Sequence, residues 1–269
     1  MRKNRMTEKK KNHVTEKKKK TPLAVKILLV ILVAALLWGG RVVYYVLHTQ
    51  ASANETALEA MKGGGGVTVR EIPEGWLFDG PSEDTAIVFY NGFRVEEIAY
   101  APLALMLAQE SADVFIPKMP LLIAYLGLHK ADEIRDAYSY ERWYIAGHSM
   151  GASAAASYAN SAKNPPDGVI MLASAMTGGA KTNVKTLTLY GSNDQALKDL
   201  TDFEAMRASL PAGSAVHCIE GGNHSQFGSY GQQQGDGEPE ITPEEQWREA
   251  ADWIGWFIRD GESVSAPDA

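Results

Sequence analysis

Residues Trp143 to Ala159 read WYIAGHSMGASAAASYA, an apolar run that stops at a serine held between two glycines. Small residues at helical spacing follow, so the pattern predicts a strand over 143–147 that turns sharply into a helix over 152–162. The pentapeptide Gly147 to Gly151 matches G-x-S-x-G, in which a strained strand-to-helix turn presents a serine hydroxyl above a sheet. An ordinary tight turn is the alternative, so the interpretation of Ser149 depends on the rest of the chain.

Apolar runs of strand length recur on both sides of this turn. The segments VTVREI and WLFDG predict an antiparallel hairpin, and further strands are predicted at 85–92, 113–117, 168–174, 184–191 and 214–221. Helices are predicted at 99–109, 120–138, 197–210 and from Thr242, where a capping box with proline at the first helical position begins the last one. This alternation predicts an α/β fold, a mostly parallel, doubly wound sheet with helices on both faces.

Partners for Ser149 are expected in the loops that follow later strands, because ligands bind beyond the carboxyl ends of parallel strands. Asp194 follows the strand 184–191, and His224 follows the strand 214–221 in a glycine-rich loop. The order serine, acid, histidine is the one that the strained serine turn requires. A turn or helix-cap role for Asp194 and an ordinary loop position for His224 are the alternatives.

Two backbone amides are candidates for stabilising an oxyanion. The amide of Met150 lies free at the predicted helix start, and the amide of Phe93 follows Asn91-Gly92 in the loop after an earlier strand. Asn91-Gly92 is equally compatible with a plain turn. No His or Cys pair has metal-ligand spacing, and no glycine loop is followed by a phosphate-binding lysine, so neither a metal nor a cofactor is expected.

The amino-terminal part of the chain differs from the rest in charge. Residues 1–26 hold eleven Lys or Arg and two Glu, whereas the remainder holds 15 basic and 31 acidic residues. An acidic body argues against nucleic acid as a partner, because phosphate affinity comes mainly from Lys and Arg. With the lysines on the amino side, the positive-inside rule predicts a cytoplasmic tail over 1–22 and an extracytoplasmic body.

The apolar segment 23–47 follows this tail. Its 25 residues would form about 37 Å of helix, enough to cross a bilayer if Lys26 and Arg41 extend towards the head groups. We predict an uncleaved single-pass signal anchor in the cell membrane. A cleaved signal peptide, with Ala51-Ser52-Ala53 as its site, and a buried soluble helix are the alternatives.

A linker is predicted over 48–66, because four consecutive glycines end it. The domain is then expected to cover 67–269, a length that a single hydrophobic core can stabilise.

Cys218 is the single cysteine and lies in an apolar strand, where a buried thiol is the simple interpretation. Only nine residues, 175–183, separate the predicted strands 168–174 and 184–191.

The chain from about 67 to 260 resembles the α/β-hydrolase superfamily, in particular the small bacterial alpha/beta hydrolase fold-5 proteins. These are distant relatives of dienelactone hydrolases with serine as nucleophile. The stretches that carry the resemblance are FYNGFRVEEIAYAPLA, VFIPKMPLLIAYLG, WYIAGHSMGASAA, LYGSNDQA and IEGGNHSQFGSYG followed by QQQGDG. The resemblance implies a catalytic triad of Ser149, His224 and Asp194. Relatives commonly carry a small residue where this chain has Asn91, which is a departure in the oxyanion loop.

These observations favour a membrane-anchored serine hydrolase of carboxylesterase type that acts on a small-molecule or lipid-like acyl substrate. Many larger members of the superfamily that the chain resembles insert a cap between the strands that here are 168–174 and 184–191, where this chain has too few residues for one. Local loops must then wall the pocket, and Met119, Leu122 and Tyr125 in the segment 118–127 are candidates for substrate contact. Core packing is the alternative for these three side chains. An acyltransferase with the same triad and a binding module that kept only the fold are the alternative functions. The sequence does not fix the oligomeric state.

Overall fold

The computed structural model describes residues 22–82, 84–174, 184–196, 207 and 210–259. The chain forms two units, Met1–Tyr45 and Val46–Ala269. In the first unit, helix α1 (Leu23–His48, which runs on into the second unit) exposes its apolar side chains along the stretch Leu23–Tyr45. Its length and composition fit either a membrane span or a signal sequence. The predicted apolar helix at the amino-terminal end is therefore present.

Within the described residues, eight strands of the second unit form one sheet. They are β1 (Thr68–Ile72), β2 (Gly75–Asp79), β3 (Thr85–Tyr90), β4 (Asp113–Pro117), β5 (Arg142–His148), β6 (Gly168–Leu172), β7 (Thr186–Gly191) and β8 (Ala215–Ile219). Their order across the sheet is β1-β2-β4-β3-β5-β6-β7-β8. Only β2 with its neighbours β1 and β4 is antiparallel, and all other pairs are parallel. The predicted α/β fold with a hairpin at its start is confirmed.

The helices of this unit are α2 (Glu55–Ala60), α3 (Ala101–Glu110), α4 (Lys130–Ala137), α5 (Met150–Ser161) and α6 (Pro243–Ile258). Helices α2, α3 and α6 contribute to the hydrophobic cluster on one face of the sheet, and α4 and α5 contribute to the cluster on the other. Strand β3 is buried throughout because Ile87 and Phe89 join the first cluster while Val88 and Tyr90 join the second. Helix α6 begins with the predicted capping box, in which Thr242 and Glu245 each accept the other's amide.

The predicted helix over 120–138 is α-helical only in its second half. Residues Pro120–Leu122 and Ala124–Gly127 form short 3₁₀ turns, and both Leu121 and Leu122 have positive φ angles. The carbonyl of Leu122 accepts the Arg94 amide, so a contact with the loop after β3 fixes this turn. The predicted helix over 197–210 lies outside the described residues except for Arg207 and Leu210, as does the short connection 175–183.

The segment 48–66, predicted as a linker, is part of the second unit. The Asn54 side chain caps α2 by accepting the Ala57 amide, and Ala57 and Ala60 are buried. Ser229, which lies in the segment after β8, holds this cap, since its hydroxyl donates to Asn54 Oδ1. The predicted boundary at 63–66 thus lies inside a packed unit, because buried alanines and the cap order the residues that precede the glycines.

Candidate active site

Ser149 lies at the sharp turn between β5 and α5 with φ 55° and ψ −120°, a conformation that non-glycine residues rarely adopt. The turn is tight because a Cβ at Gly147 would collide with the backbone of Gly151, and one at Gly151 would collide with the carbonyls of β3. The Ser149 amide donates to Leu172 at the end of β6, which fixes the turn to the sheet. The glycines of the motif therefore serve close packing, and Ser149 is partly exposed where its neighbours in β5 are buried.

The structure brings Asp194 and His224 together. Asp194 follows β7 and His224 follows β8, and His224 Nδ1 lies 2.9 Å from Asp194 Oδ2 with both side chains buried. An ionised carboxylate only accepts hydrogen bonds, so Nδ1 carries the proton and Nε2 keeps its lone pair. A histidine in this tautomer can act as a general base.

The loops that carry this pair are joined to each other. The Asn193 amide donates to the Gly222 carbonyl, and the Ser192 hydroxyl accepts the Gly221 amide. Gly191 allows this approach, because a Cβ there would collide with the backbone of Gly222. The distance between acid and histidine is therefore set by backbone contacts as well as by their own hydrogen bond.

Two further side chains hold the His224 loop, which we define as residues 221–237. Asp236 accepts the amides of His224, Ser225 and Gly237 and also the Ser225 hydroxyl. Gln246 of α6, fully buried, accepts the Asn223 amide and donates to the Asn223 carbonyl. Sequence reasoning gave neither residue a role, although Asp236 stands in the QQQGDG stretch that carries the resemblance.

His148, beside Ser149, links the site to the loop after β3. His148 Nε2 lies 3.0 Å from the carbonyl of His224, which must accept, so Nδ1 accepts the Tyr100 hydroxyl at 2.9 Å. The Tyr100 oxygen in turn accepts the Gly92 amide. Burial, followed by the nearby His224 ring, holds the pKa of His148 well below its usual value, and burial raises that of Tyr100. A neutral His148 fits this chain of donors and acceptors.

The predicted oxyanion amides lie at the ends of β3 and β5. Met150 is the first residue of α5, so its amide has no acceptor within the helix. Phe93 follows Gly92, which packs so closely on His148 that a Cβ would approach Nδ1. Asn91 shapes this loop by donating to the carbonyls of Gly92, Val95 and Leu122.

The predicted substrate-contacting residues separate into two groups. Met119 is buried in the cluster that covers α4 and α5, so core packing describes it. Leu122 is partly buried, and Tyr125 is 47% exposed, with its hydroxyl 3.5 Å from that of Ser157. Between Ser149 and His224 no hydrogen bond is present in the described part of the chain. Across the same described ranges, no cluster of three metal-ligating side chains occurs.

Comparisons with known proteins identify the family of the chain. A model of an alpha/beta hydrolase family matches residues 86–248, more than half of the chain. A search of curated proteins returned no match.

Three solved structures illustrate the likeness. The predicted CIB-like hydrolase of Thermoplasma acidophilum aligns with a TM-score of 0.51 at 21% identity, covering 70% of this chain and 99% of that one. A membrane phospholipase A described as a bacterial virulence factor aligns with a TM-score of 0.54 at 16% identity, covering 89% and 100%. Carboxyl esterase 2 of the fungus Tuber melanosporum aligns with a TM-score of 0.55 at 13% identity, covering 78% and 91%. At these identities the likeness is one of fold.

Proposed function

The chain belongs to the alpha/beta hydrolase family, and we propose that it is a membrane-anchored serine hydrolase of carboxylesterase type. The observation that carries the proposal is the buried His224–Asp194 pair, whose imidazole ring lies against the ring of His148, the residue that precedes the strained Ser149. A strained serine near an oriented histidine is the arrangement expected of an activated nucleophile.

In the proposed reaction, Ser149 Oγ attacks the carbonyl carbon of an ester while His224 Nε2 takes the hydroxyl proton. The carbonyl oxygen becomes an oxyanion that the amides of Met150 and Phe93 stabilise. The imidazolium then gives its proton to the leaving alcohol, which departs from the acyl-enzyme. Water, deprotonated by the same nitrogen, attacks the acyl-enzyme and releases a carboxylic acid. Asp194 keeps His224 in the required tautomer and stabilises its charged form throughout.

Exposed apolar side chains support an acyl substrate of lipid-like character. Phe93, Leu121, Tyr125 and Leu126 are 39–57% exposed and lie on the loops after β3 and β4. These loops leave the sheet at the same edge as Ser149, since β3, β4 and β5 are parallel neighbours. Apolar surface at the rim of such a site is suited to an acyl chain.

We place helix α1 across the cell membrane as an uncleaved anchor. Its apolar side chains are exposed, and the lysine-rich residues before it favour a cytoplasmic amino terminus. The hydrolase domain then faces the extracytoplasmic side. Membrane fractionation followed by external protease tests this: the domain should be digested in intact spheroplasts, and its protection from the protease would contradict the topology.

The activity is tested with p-nitrophenyl esters from acetate to decanoate and the full chain in detergent. We expect turnover by the wild type and its loss in Ser149→Ala, with Ser153→Ala as matched control because Ser153 lies one helical turn further along α5. Equal turnover by wild type and Ser149→Ala would contradict the proposal.

A further inference from the structure

Arg94 is a buried arginine that has no acidic partner in the described part of the chain. Only 5% of its surface is exposed, and its side chain donates from Nη1 to the Leu121 carbonyl. Its Nε and Nη2 atoms are inaccessible and have no hydrogen-bond partner among the residues that the structure describes. Buried charges are normally paired, because removing a charge from water is costly. Two donors of this buried cation thus have no acceptor among the described residues.

The two unpartnered nitrogens define the kind of anion that fits. Nε and Nη2 lie on the same edge of the planar guanidinium group, and their N–H bonds point in parallel. This edge binds two oxygens of a carboxylate or phosphate at once. Nη1, on the other edge, is already occupied by Leu121. The free donors thus match an oxyanion with two oxygens and fit a single neutral carbonyl poorly.

The position of Arg94 connects it to the proposed active site. It follows Phe93, whose amide is the proposed oxyanion donor, and its own amide donates to Leu122 in the loop after β4. Two residues earlier, Gly92 packs against His148. Arg94 therefore lies at the junction of two loops at the edge of the sheet where Ser149 is found.

The turn that accepts the Arg94 hydrogen bond lies at the surface. Leu121 and Leu122 both have positive φ angles, which are unfavourable for leucine. The Leu121 side chain is 52% exposed, so Arg94 is bonded to a residue that borders solvent.

From these contacts we propose that Arg94 binds an anionic group of the substrate, so that the preferred esters carry a carboxylate or a phosphate besides the acyl bond. This inference rests on the proposed hydrolase function and names its substrate class. The acyl chain then lies along the exposed apolar loops, and the anionic group pairs with the Nε–Nη2 edge.

The test compares esters that differ only in charge. Mono-p-nitrophenyl glutarate and p-nitrophenyl valerate have five-carbon acyl chains, with and without a terminal carboxylate. We expect the full chain in detergent to favour the glutarate by about tenfold or more in kcat/KM. Arg94→Met should lower kcat/KM for the glutarate about 30-fold or more and that for the valerate less than about threefold. Arg94→Lys should fall between, because lysine keeps the charge and loses the paired donors.

A second pair of esters separates the two sources of the anion. Dihexanoyl phosphatidic acid and dihexanoylglycerol differ by a phosphate head group. An Arg94-dependent preference in the phosphate pair alone identifies a lipid head group, and one in the glutarate pair alone identifies a carboxylate. Equal losses on charged and neutral esters, or no loss on either, would overturn the role of Arg94.

Binding without turnover separates failure of this inference from failure of the hydrolase proposal. Monomethyl glutarate and dihexanoyl phosphatidic acid should raise the melting temperature of Ser149→Ala and leave the Ser149→Ala, Arg94→Met double variant unchanged. If no ester is hydrolysed while this difference persists, the hydrolase proposal fails and the anion site stands. If esters are hydrolysed while neither anion stabilises Ser149→Ala, the anion site fails alone.

Discussion

Two regions at one edge of the sheet differ in the hydrogen-bond partners of their charged side chains. In the His224 loop, His224 pairs with Asp194, and Asp236 accepts four hydrogen bonds from the loop itself. In the loops after β3 and β4, Arg94 is more than nine-tenths buried, and within the described residues its side chain donates only to a backbone carbonyl. Where the proposed proton transfer occurs, the charged groups therefore bond to groups of the chain itself. In the neighbouring loops, Arg94 keeps two donors for which we propose an anionic substrate group as acceptor.

The largest expected effect is a difference in ester turnover between variants in the two regions. His224→Ala removes the proposed base, so kcat for a neutral p-nitrophenyl ester should fall by about 10⁴-fold or more. Arg94→Met should change the same rate by less than about threefold. His129→Ala is the matched control, because His129 is exposed and its ring bonds nearby Asp132, away from the proposed triad. A similar loss in His129→Ala, or a small one in His224→Ala, would remove the distinction between the regions.

Asp236→Asn tests whether the His224 loop depends on its internal acid. The substitution replaces one acceptor oxygen by an amide that faces N–H donors, and hydrogen bonds to a charged group each contribute about 1.5–3 kcal/mol. We expect the free energy of unfolding to fall by about 2 kcal/mol and kcat to fall about 10- to 100-fold. Denaturant unfolding and ester kinetics measure the two effects. Glu238→Gln, exposed and one residue beyond the loop, is the control that should retain both values. Unchanged kinetics in Asp236→Asn would show that the loop holds His224 without it.

Tyr100→Phe tests the link between the two regions. The substitution leaves the buried Gly92 amide without an acceptor, which costs about 1–3 kcal/mol. It also removes the donor to His148 Nδ1, so ester turnover should fall together with stability. Tyr90→Phe is the matched control: its hydroxyl bonds Leu128 on the other face of the sheet, so stability should fall while kcat is retained. Equal kinetics in the two variants would contradict a link through Tyr100.

The smallest effect is a pH dependence of stability that comes from His148. Its pKa is lowered in the folded chain by burial, so below the unfolded imidazole pKa of about 6.5 only the unfolded chain binds the proton. The contribution of neutral His148 to the free energy of unfolding should therefore be fully present above pH 6.5. On acidification below this pH it should fall by up to about 1.4 kcal/mol per pH unit. His148→Gln, which keeps a donor for the His224 carbonyl, should reduce this slope between pH 6.5 and 5. An identical slope in both proteins would mean that His148 is protonated in the fold.

Local pattern was sufficient to predict much of this arrangement. The strands are short apolar runs, and the Ser149 turn is marked by glycines whose close packing the structure shows. Asp194 and His224 were predicted from their positions after strands, which depend only on the order of elements along the chain. The structure places both at the expected strand ends, and their catalytic roles remain proposals.

Features that depend on distant partners were not predictable from local pattern. The turn at Leu121–Leu122 is fixed by donors from Arg94 and Asn91, about 30 residues earlier, and the apolar spacing there also fits a helix. The segment before the four glycines is polar and short, so its packing depends on Ser229, 175 residues away from Asn54. Tyr100 likewise meets His148 across 48 residues. Such contacts leave little signal in any short stretch of sequence.

The most direct test of the account is covalent labelling of the proposed nucleophile. The full chain in detergent is treated with a fluorophosphonate, which reacts with activated serines, and the adduct is located by mass spectrometry. We predict one adduct, on Ser149, in the wild type and in Ser153→Ala, none in Ser149→Ala and strongly slowed labelling in His224→Ala. An absence of adduct on folded wild-type protein, or an adduct on another residue, would contradict the claim that Ser149 is an activated nucleophile.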